Sequence, residues 1–289
     1  MSEDAFARHR SLLFTVAYEM LGSAADAEDV VQETWLRWAD VDHAEVHDPR
    51  AYLVRIVTRQ ALNRLRSLAR RREEYVGEWL PEPLLTSPDV AADVELAENV
   101  SMAMLTVLET LAPAERAVFV LREVFDVPYQ EIAEAVDKSP AAVRQIAHRA
   151  RDHVAARRPR MSVSATEQQE VVERFLATVR DGDLQGLLDV LAPDVVVVAD
   201  GGGLVAAAPQ PIEGAQRVAA FLIAALGRVE FEAKTVWLNG SVGTRIDIGG
   251  ELDTAATVTI ENGRITRIFA VRNPHKLAHL DGVAALTRN

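Results

Sequence analysis

The hydrophobic pattern of this 289-residue chain changes once along its length, and this change limits the possible folds more than any other feature. Up to about residue 158, apolar residues recur three and four positions apart, which predicts amphipathic helices interrupted by a proline-rich linker at 77–93. From residue 231, apolar and polar residues alternate in four short runs separated by glycine-containing turns, which predicts antiparallel hairpins. We therefore expect helical domains followed by an α+β domain.

The composition excludes several classes of protein. The chain has no cysteine, which rules out disulfides, thiolate catalysis, iron–sulfur clusters and cysteine-based zinc sites. Its longest apolar stretch, at 218–226, is too short to cross a bilayer, and the acidic N-terminus lacks the features of a secretory signal. We expect a cytoplasmic protein that requires no cofactor and binds no membrane.

Basic residues are concentrated in two stretches of an otherwise acidic chain. The formal net charge is -12, yet residues 49–72 contain eight arginines and no acidic residue. Residues 138–166 contain seven basic residues and one acidic residue. Two such stretches indicate two separate contacts with a polyanion, which makes DNA binding the leading hypothesis.

The first basic stretch predicts a helix with one charged face. Asp48 is an N-cap candidate, and Pro49 suits the first helical position. Opposite the apolar stripe, side chains that can bind phosphate or a base edge recur along the helix: Arg55, Arg59, Asn63, Arg66 and Arg70. The alternative is an ordinary solvated helix face.

The second basic stretch has the pattern of a helix-turn-helix. A short helix from Tyr129 leads to a polar turn at Asp137, and Ser139-Pro140 supplies the N-cap and first residue of the next helix. The exposed side of that helix carries residues suited to bases and phosphates: Arg144, Gln145, His148, Arg149 and Arg151. The alternative is a helical hairpin within a larger bundle.

Two strings in the helical half resemble a known family. They are Ala27-Glu28-Asp29-Val30-Val31-Gln32-Glu33-Thr34-Trp35-Leu36-Arg37-Trp38 and Asp48-Pro49-Arg50-Ala51-Tyr52-Leu53. Together with the helix-turn-helix, they resemble regions 2 and 4 of the extracytoplasmic-function (ECF) sigma factors of the sigma-70 family. Three further motifs resemble the subgroup with a fused SnoaL-like domain: Trp79-Leu80-Pro81-Glu82-Pro83-Leu84, Asp200-Gly201-Gly202-Gly203 and Asn273-Pro274-His275-Lys276-Leu277.

The resemblance implies a multi-domain fold. An all-α region 2 bundle is expected at 5–78, a linker at 79–97, an all-α helix-turn-helix region 4 at 98–158 and a second linker at 159–168. An α+β, cone-shaped SnoaL-like (NTF2-like) domain is expected at 169–289.

The resemblance also implies a function, which is to direct bacterial core RNA polymerase to promoter DNA and to help melt the -10 element. The expected polymerase contacts are the β′ coiled coil, which region 2 binds through Asp29, Gln32, Glu33 and Arg37, and the β flap. The -10 element is expected at Arg55, Arg59, Asn63 and Arg66. The -35 element is expected at Ala141, Ala142, Arg144, Gln145, His148, Arg149 and Arg151, with Ile146 standing where many relatives have arginine.

The subgroup further implies regulation in cis, in which the C-terminal domain contacts the first linker. Trp79 and Leu80 would expose apolar surface unless another part of the chain covered them. The expected interdomain contacts are Trp79, Leu80, Pro81, Asp200, Gly201, Gly202, Asn273, Pro274, Lys276 and Leu277.

Two other functions remain open. The first is an enzyme or sensor whose cone binds an unidentified small ligand, for which Asp200, Arg245, Asp247 and Asp253 are available. Each aspartate is also explained as a turn or hairpin-end residue. The second is a dimeric helix-turn-helix activator that needs no polymerase. The histidine pairs His43/His47 and His275/His279 lack an evident third ligand, so we expect no metal site. The resemblance to sigma factors implies that the protein is not an enzyme in its principal role.

Overall fold

The chain folds into two units that each contain separate stretches of sequence. The computed structural model describes residues 2–158, 163–227 and 229–288; the side chains of 2–4 and 69–73, including Arg70, lie outside this description. The first unit comprises residues 2–73, 104–158 and 285–288, and the second comprises 74–103 and 163–284. The predicted second linker at 159–168 falls partly on residues outside the description.

Helices dominate the first half of the chain. In chain order, the described α-helices are α1 (Ser2–Leu21), α2 (Ala24–Ala39), α3 (Pro49–Glu73), α4 (Pro88–Ala92), α5 (Val94–Val100), α6 (Met102–Leu108), α7 (Pro113–Phe119), α8 (Tyr129–Val136), α9 (Pro140–Ala155), α10 (Ala165–Asp181), α11 (Leu184–Val190), α12 (Ala215–Leu226) and α13 (Pro274–Leu277). A 3₁₀ turn covers His43–Glu45, and a π-helical turn covers Val120–Val124.

Local sequence signals position most of the helix ends. Asp48 caps α3 by accepting a hydrogen bond from the N–H of Ala51 at 3.0 Å, as its position before Pro49 predicts. Ser139 caps α9 in the same way, and Asp137 adopts the left-handed conformation between α8 and α9. At the start of α2, Ser23 accepts the capping bond from the Asp26 N–H at 3.1 Å.

The proline-rich linker is more ordered than its composition indicates. The helix α4 forms inside the predicted linker at 77–93, and α5 and α6 follow as separate helices divided at Ser101. Asp93 separates α4 from α5, because its side chain caps α5 by accepting a hydrogen bond from the Leu96 N–H at 3.1 Å.

A six-stranded sheet organises the second unit. Its strands are β1 (Leu191–Asp200), β2 (Ile212–Glu213), β3 (Phe231–Leu238), β4 (Ser241–Ile248), β5 (Glu251–Glu261) and β6 (Arg264–Val271). Their spatial order is β2-β1-β6-β5-β4-β3, in which only β1 and β6 run parallel. The four predicted hairpin runs correspond to β3 to β6, and Asn239-Gly240, Gly249-Gly250 and Asn262-Gly263 supply the left-handed turn residues.

Two apolar clusters stabilise this second unit. One cluster joins α10, α11 and α12 to the sheet through residues such as Phe175, Leu187 and Val218. The other contains Leu80 and Met102 together with Leu238, Phe269 and Leu277. The 74–103 segment is therefore part of the core of the α+β unit. Among the described helices, none combines the length and apolar character that a membrane span requires.

Candidate functional site

An arginine ridge, which we define as Arg55, Arg59, Asn63 and Arg66, lies on one side of α3. Leu53, Val57, Ala61 and Leu65 occupy the buried side of the same helix. Arg59, Asn63 and Arg66 are exposed, and Arg55 is half-buried. An open groove of about 550 Å³ is lined by Arg55, Arg59 and Asn63 of the ridge and by Arg37 and Tyr52. Cations beside an aromatic ring suit a single nucleic-acid strand, whose phosphates and bases they can contact.

Part of the arginine ridge is bound by α8 within the same helical unit. The Arg59 guanidinium donates to the main-chain oxygen of Glu134 at 2.7 Å, and Arg55 lies 3.3 Å from the Glu134 carboxylate. Arg55 also lies over the Tyr52 ring, with 5.2 Å between its guanidinium carbon and the ring centroid. Glu134 therefore binds two arginines, Arg55 and Arg59, that a phosphate would otherwise contact.

The outward face of α2 carries the four residues predicted to bind a protein partner. Asp29, Gln32, Glu33 and Arg37 are all exposed. Asp29 accepts a hydrogen bond from Arg64 at 3.1 Å, and Glu33 accepts one from Gln60 at 2.9 Å. These two contacts hold the acidic side chains against α3, so the face presents a defined pattern of charge.

The helix-turn-helix presents one side of α9 to solvent. Ala141, Arg144, Gln145, His148, Arg149 and Arg151 are exposed, and Ala142 is half-buried. Ile146, which stands where many relatives have arginine, is only 7% exposed and packs in the core. The hydrophobic spacing Val143, Ile146, Ala147 and Ala150 explains this burial.

The arginines of α9 differ in how free they are to contact DNA. Arg151 makes a bidentate pair with Glu123 at 2.7 and 3.2 Å, and this hydrogen bonding raises the pKa of the guanidinium. Arg149 is 3.9 Å from Glu115, while Arg144 is exposed and lies over the Tyr129 ring. Arg144 and Arg149 are thus more available to DNA than Arg151.

The second unit contains a buried polar site that we call the linker node: Tyr75, Leu80, Asp200, Asn273 and Lys276. One carboxylate oxygen of Asp200 accepts bonds from the Leu80 N–H at 2.9 Å and from Lys276 Nζ at 2.7 Å. The other accepts the Tyr75 hydroxyl at 2.6 Å. Lys276 also donates to the Leu80 carbonyl at 2.5 Å. Asp200 also accepts the Gly202 N–H at 3.0 Å, as a turn residue does, but its side chain is fully buried and binds the linker as well.

Aromatic residues surround the charge pair of the linker node. The ammonium group of Lys276 lies 3.9 Å from the centre of the Trp79 ring and 5.0 Å from that of Tyr75. Asn273 donates to the Tyr75 hydroxyl at 2.7 Å. Burial, reinforced by the hydrogen bond to Asp200, raises the pKa of Tyr75. The phenol therefore remains a hydrogen-bond donor.

The other predicted interdomain residues support the same site. Gly201 and Gly202 form the turn after Asp200, and a Cβ atom on Gly202 would collide with the Asn273 amide. Asn273 caps α13 through the His275 N–H at 3.0 Å, with Pro274 in the first turn. Pro81 and Leu277 are buried. The structure thus brings together all ten predicted residues in or beside the linker node.

A second contact between the linker and the sheet was not predicted. Asn239 exchanges two hydrogen bonds with Leu84, and its amide donates to the Val100 carbonyl at 2.9 Å. Thr86 bonds both Trp237 and Gly240. The Asn-Gly pair at 239–240 looked only like a hairpin turn, and no local signal shows that its side chain reaches a segment more than 130 residues away.

An apolar cavity of about 150 Å³ lies between the helices and the sheet of the second unit. Of the four residues considered for acid–base chemistry, only Asp253 lines it. Burial tends to raise the pKa of Asp253, but hydrogen bonds from Arg272 and Thr254 lower it overall. Asp247 pairs instead with Arg245 at 2.7 Å, and Asp200 binds the linker. The proposed group of four therefore does not form one catalytic site.

No group of three potential ligands with metal-binding geometry occurs among the described residues. The pairs His43/His47 and His275/His279 are thus not joined there by a further histidine, aspartate or glutamate.

Comparison with known proteins identifies two sigma-factor regions in the chain. The family descriptions "Sigma-70 region 2" and "Sigma-70, region 4" match residues 5–71 and 101–154. The ECF RNA polymerase sigma factor SigJ of Mycobacterium tuberculosis is 37% identical to 96% of this chain, which covers 93% of that protein. A probable ECF RNA polymerase sigma factor of that species, SigI, is 32% identical over 94% of this chain and 93% of its own length.

A solved structure extends the similarity to the whole fold. The crystal structure of M. tuberculosis SigJ matches with a TM-score of 0.78 and 33% identity, covering 96% of this chain and 98% of that one. The match confirms the predicted order of helical regions 2 and 4 followed by an α+β domain. The chain therefore belongs to the ECF sigma factors of the sigma-70 family.

Proposed function

We propose that this protein is a transcription initiation factor that binds bacterial core RNA polymerase and directs it to promoters, with no enzymatic activity of its own. One observation carries this proposal: two separate cationic helix surfaces, on α3 and α9, occur in one unit with an exposed, acidic-patterned face on α2. A factor that reads a two-part promoter needs both surfaces, whereas a simple activator needs only one. Such a factor would act in the cytoplasm.

Each surface has a proposed partner. Asp29, Gln32, Glu33 and Arg37 would bind the β′ coiled coil, and region 4 would contact the β flap. The arginine ridge would hold the melted -10 strand, because its groove combines cations with the ring of Tyr52. The exposed side of α9 would read the -35 element in the major groove, with Arg144 nearest to a free base-reading residue.

We further propose that the linker node regulates the sigma regions in cis. Leu80 is fully buried against the α+β unit, and its N–H and C=O bond Asp200 and Lys276 respectively. Because the linker joins regions 2 and 4, its attachment limits how far the two regions can separate along a promoter. The linker node activates the sigma regions if the attached linker helps promoter binding, and it inhibits them if the attached linker hinders promoter binding.

Transcription with purified core polymerase tests the proposal. Full-length protein and its Asp200→Asn, Trp79→Ala and Glu28→Gln variants would be compared on a pool of genomic promoter fragments, the last being an exposed-residue control. We expect initiation at discrete sites that requires both core and this protein. The two linker-node variants should change the yield while keeping the start sites. Absence of any core-dependent transcript, together with no pull-down of core polymerase, would refute the assignment.

The cavity in the α+β unit favours a second, compatible role as a sensor of a small ligand. Its walls are apolar side chains such as Phe175, Leu222 and Ile268, and the Asp253–Arg272 pair supplies polar groups at one side. A cavity of about 150 Å³ fits a compact ring with one hydroxyl or carbonyl group.

Calorimetry with p-cresol and toluene tests this role, because the two probes differ in their polar group. We expect p-cresol to bind and toluene to bind more weakly. The variant Ala270→Leu, which reduces the cavity, should abolish binding, whereas Ala278→Leu on the surface should not. No binding of either probe to the intact protein would argue against the sensor role.

A further inference from the structure

The two faces of the sheet in the α+β unit contact different sites. At the end of β6 and just beyond it, Ala270 and Arg272 line the apolar cavity. Phe269 and Val271 belong instead to the apolar cluster that contains Leu80 of the linker. Because successive side chains of a strand point to opposite faces, the cavity and the linker lie on opposite sides of β6. Any coupling between the two sites must therefore pass through the sheet or around its end.

A short loop leads from the linker node to the cavity. This loop, residues 201–207, directly follows β1, and we call it the node loop. A Cβ atom on Gly203 would lie 2.9 Å from the Cβ of Val76, which is next to Tyr75 of the linker node, so this part of the loop packs closely against the linker. Four residues later, Ala207 lines the cavity. The node loop therefore contacts the linker at one end and the cavity at the other.

Arg272 joins the node loop to both sites. Its Nη2 and Nε atoms donate to the two carboxylate oxygens of Asp253 at 2.7 and 3.1 Å, and both side chains line the cavity. Its remaining guanidinium nitrogen donates to the carbonyl of Ala206 in the node loop. Its main-chain N–H donates to the carbonyl of Asp200 at 2.7 Å. One residue thus contacts the cavity, the node loop and the aspartate that binds the linker.

The cavity is present in the form that holds the linker, and this determines the direction of the coupling. The node loop and Arg272 supply part of the cavity wall, and both are bonded to residues of the linker node. A ligand that fits this wall binds the attached form more tightly than a form in which the node loop has moved. By linkage, the same ligand strengthens the attachment of the linker by the same factor.

The polar side of the cavity selects a neutral ligand with a hydroxyl group. Burial opposes ionisation of Asp253, but hydrogen bonds from Arg272 and Thr254 lower its pKa overall, so the carboxylate accepts hydrogen bonds. A ligand hydroxyl can donate to this carboxylate, whereas a ligand carboxylate would be repelled. Since Arg272 already balances the charge of Asp253, the ligand needs no charge of its own.

We propose that Arg272 and the node loop couple the cavity to the linker node, so that a neutral, hydroxyl-bearing ligand in the cavity strengthens the attachment of the linker. The inference rests on the proposed sensor role of the cavity. It requires no contact with polymerase or promoter DNA. Arg272 acts as a positioning residue, because it affects the linker through Asp200 and the node loop.

Calorimetry of p-cresol binding to the full-length protein tests the coupling by double-mutant cycles. The first change loosens the linker node from the far side of the sheet. Tyr75→Phe removes the hydroxyl that bonds Asp200 and Asn273, and Trp79→Ala removes the ring beside Lys276. Tyr75 and Trp79 are not among the described residues that line the cavity, so neither variant removes a ligand contact.

The second change breaks the connection through the node loop. Arg272→Lys keeps the positive charge beside Asp253 and removes the planar fork that spans from Asp253 to Ala206. Arg245→Lys is the matched control, because Arg245 pairs with Asp247 in the same unit and is outside the described lining of the cavity. Toluene replaces p-cresol if Arg272→Lys binds p-cresol too weakly to measure.

We expect Tyr75→Phe and Trp79→Ala each to weaken p-cresol binding about fivefold or more, both in the parent and in Arg245→Lys. In Arg272→Lys neither change should alter the affinity. Equal weakening in Arg272→Lys and parent, or no weakening in the parent by either folded variant, would overturn the coupling and leave the sensor role intact. If the parent binds no p-cresol, the sensor role is rejected together with the coupling.

Discussion

The ammonium group of Lys276 lies 2.7 Å from a carboxylate oxygen of Asp200, and both side chains are almost completely buried. These two residues are 76 positions apart: Asp200 ends β1, and Lys276 lies in α13, which follows the neighbouring parallel strand β6. Backbone bonds from Arg272 and Asn273 to the Asp200 carbonyl fix the two chain ends together. The linker is thus bound by a pair that the sheet itself positions.

Removing one member of this pair should strongly destabilise the α+β unit. We expect Lys276→Met to lower its free energy of unfolding by about 3–5 kcal/mol, because an unpaired carboxylate would remain buried. Asp200→Asn combined with Lys276→Met should recover part of the loss. Urea denaturation followed by tryptophan fluorescence measures both. Equal stability of Lys276→Met and parent would contradict the assigned pair.

A side chain at Gly202 should destabilise the protein through a collision with Asn273, in addition to the strain of its positive φ. Gly202 and Gly249 share a φ of +62°, but a Cβ atom would strike Asn273 at Gly202 and would meet nothing within 4 Å at Gly249. We expect Gly249→Ala to cost roughly 1 kcal/mol and Gly202→Ala roughly 1–3 kcal/mol more. Thermal unfolding of the two variants separates the contributions, and equal losses would show that Asn273 moves aside.

Arginines on α9 should differ in their effect on promoter use. Arg144→Ala should weaken discrimination at one -35 position by about 1–3 kcal/mol, whereas Arg149→Ala should reduce the salt dependence of binding by about one charge. Arg151→Ala should affect DNA less, because Glu123 already pairs with this residue. Core-dependent transcription on -35 variants at several salt concentrations tests all three. A larger specificity change at Arg151 than at Arg144 would reverse the assignment.

The helical unit should lose stability as pH rises through the range in which Glu19 ionises. Burial raises the pKa of Glu19 from 4.5 to about 8, so its stabilising contribution is complete below about pH 4.5 and is lost progressively as pH rises through 8. Glu19→Gln should remove this slope and be the more stable form near pH 8. Urea denaturation from pH 5 to 9 measures the effect. Glu45→Gln, at an exposed position, should retain the parent profile.

Much of the fold could be predicted because its signals are local. The cap at Asp48, the turn at Asp137 and the glycine-containing hairpins each depend on residues within a few positions. The family strings also indicate which helix faces carry the predicted polymerase and DNA contacts. Roles of individual residues toward polymerase and DNA stay predictions.

The remaining features depend on contacts that no local pattern shows. Asp200 precedes three glycines, so its sequence favours a turn, and only the distant linker makes it a buried acceptor. Tyr75 and Asn239 had no motif to distinguish them, yet each bonds a segment far along the chain.

The long separation between the linker and its binding partners has a consequence during synthesis. Tyr75 and Asn273 are 198 residues apart, so a ribosome needs roughly 10–40 s to make the second after the first. Until β6 and α13 are made, Leu80 and Met102 lack Phe269 and Leu277 as packing partners. Every newly made molecule therefore passes through a stage with complete sigma regions and an unattached linker. The time needed to complete the α+β unit, as well as any signal, therefore determines when this unit first binds the linker.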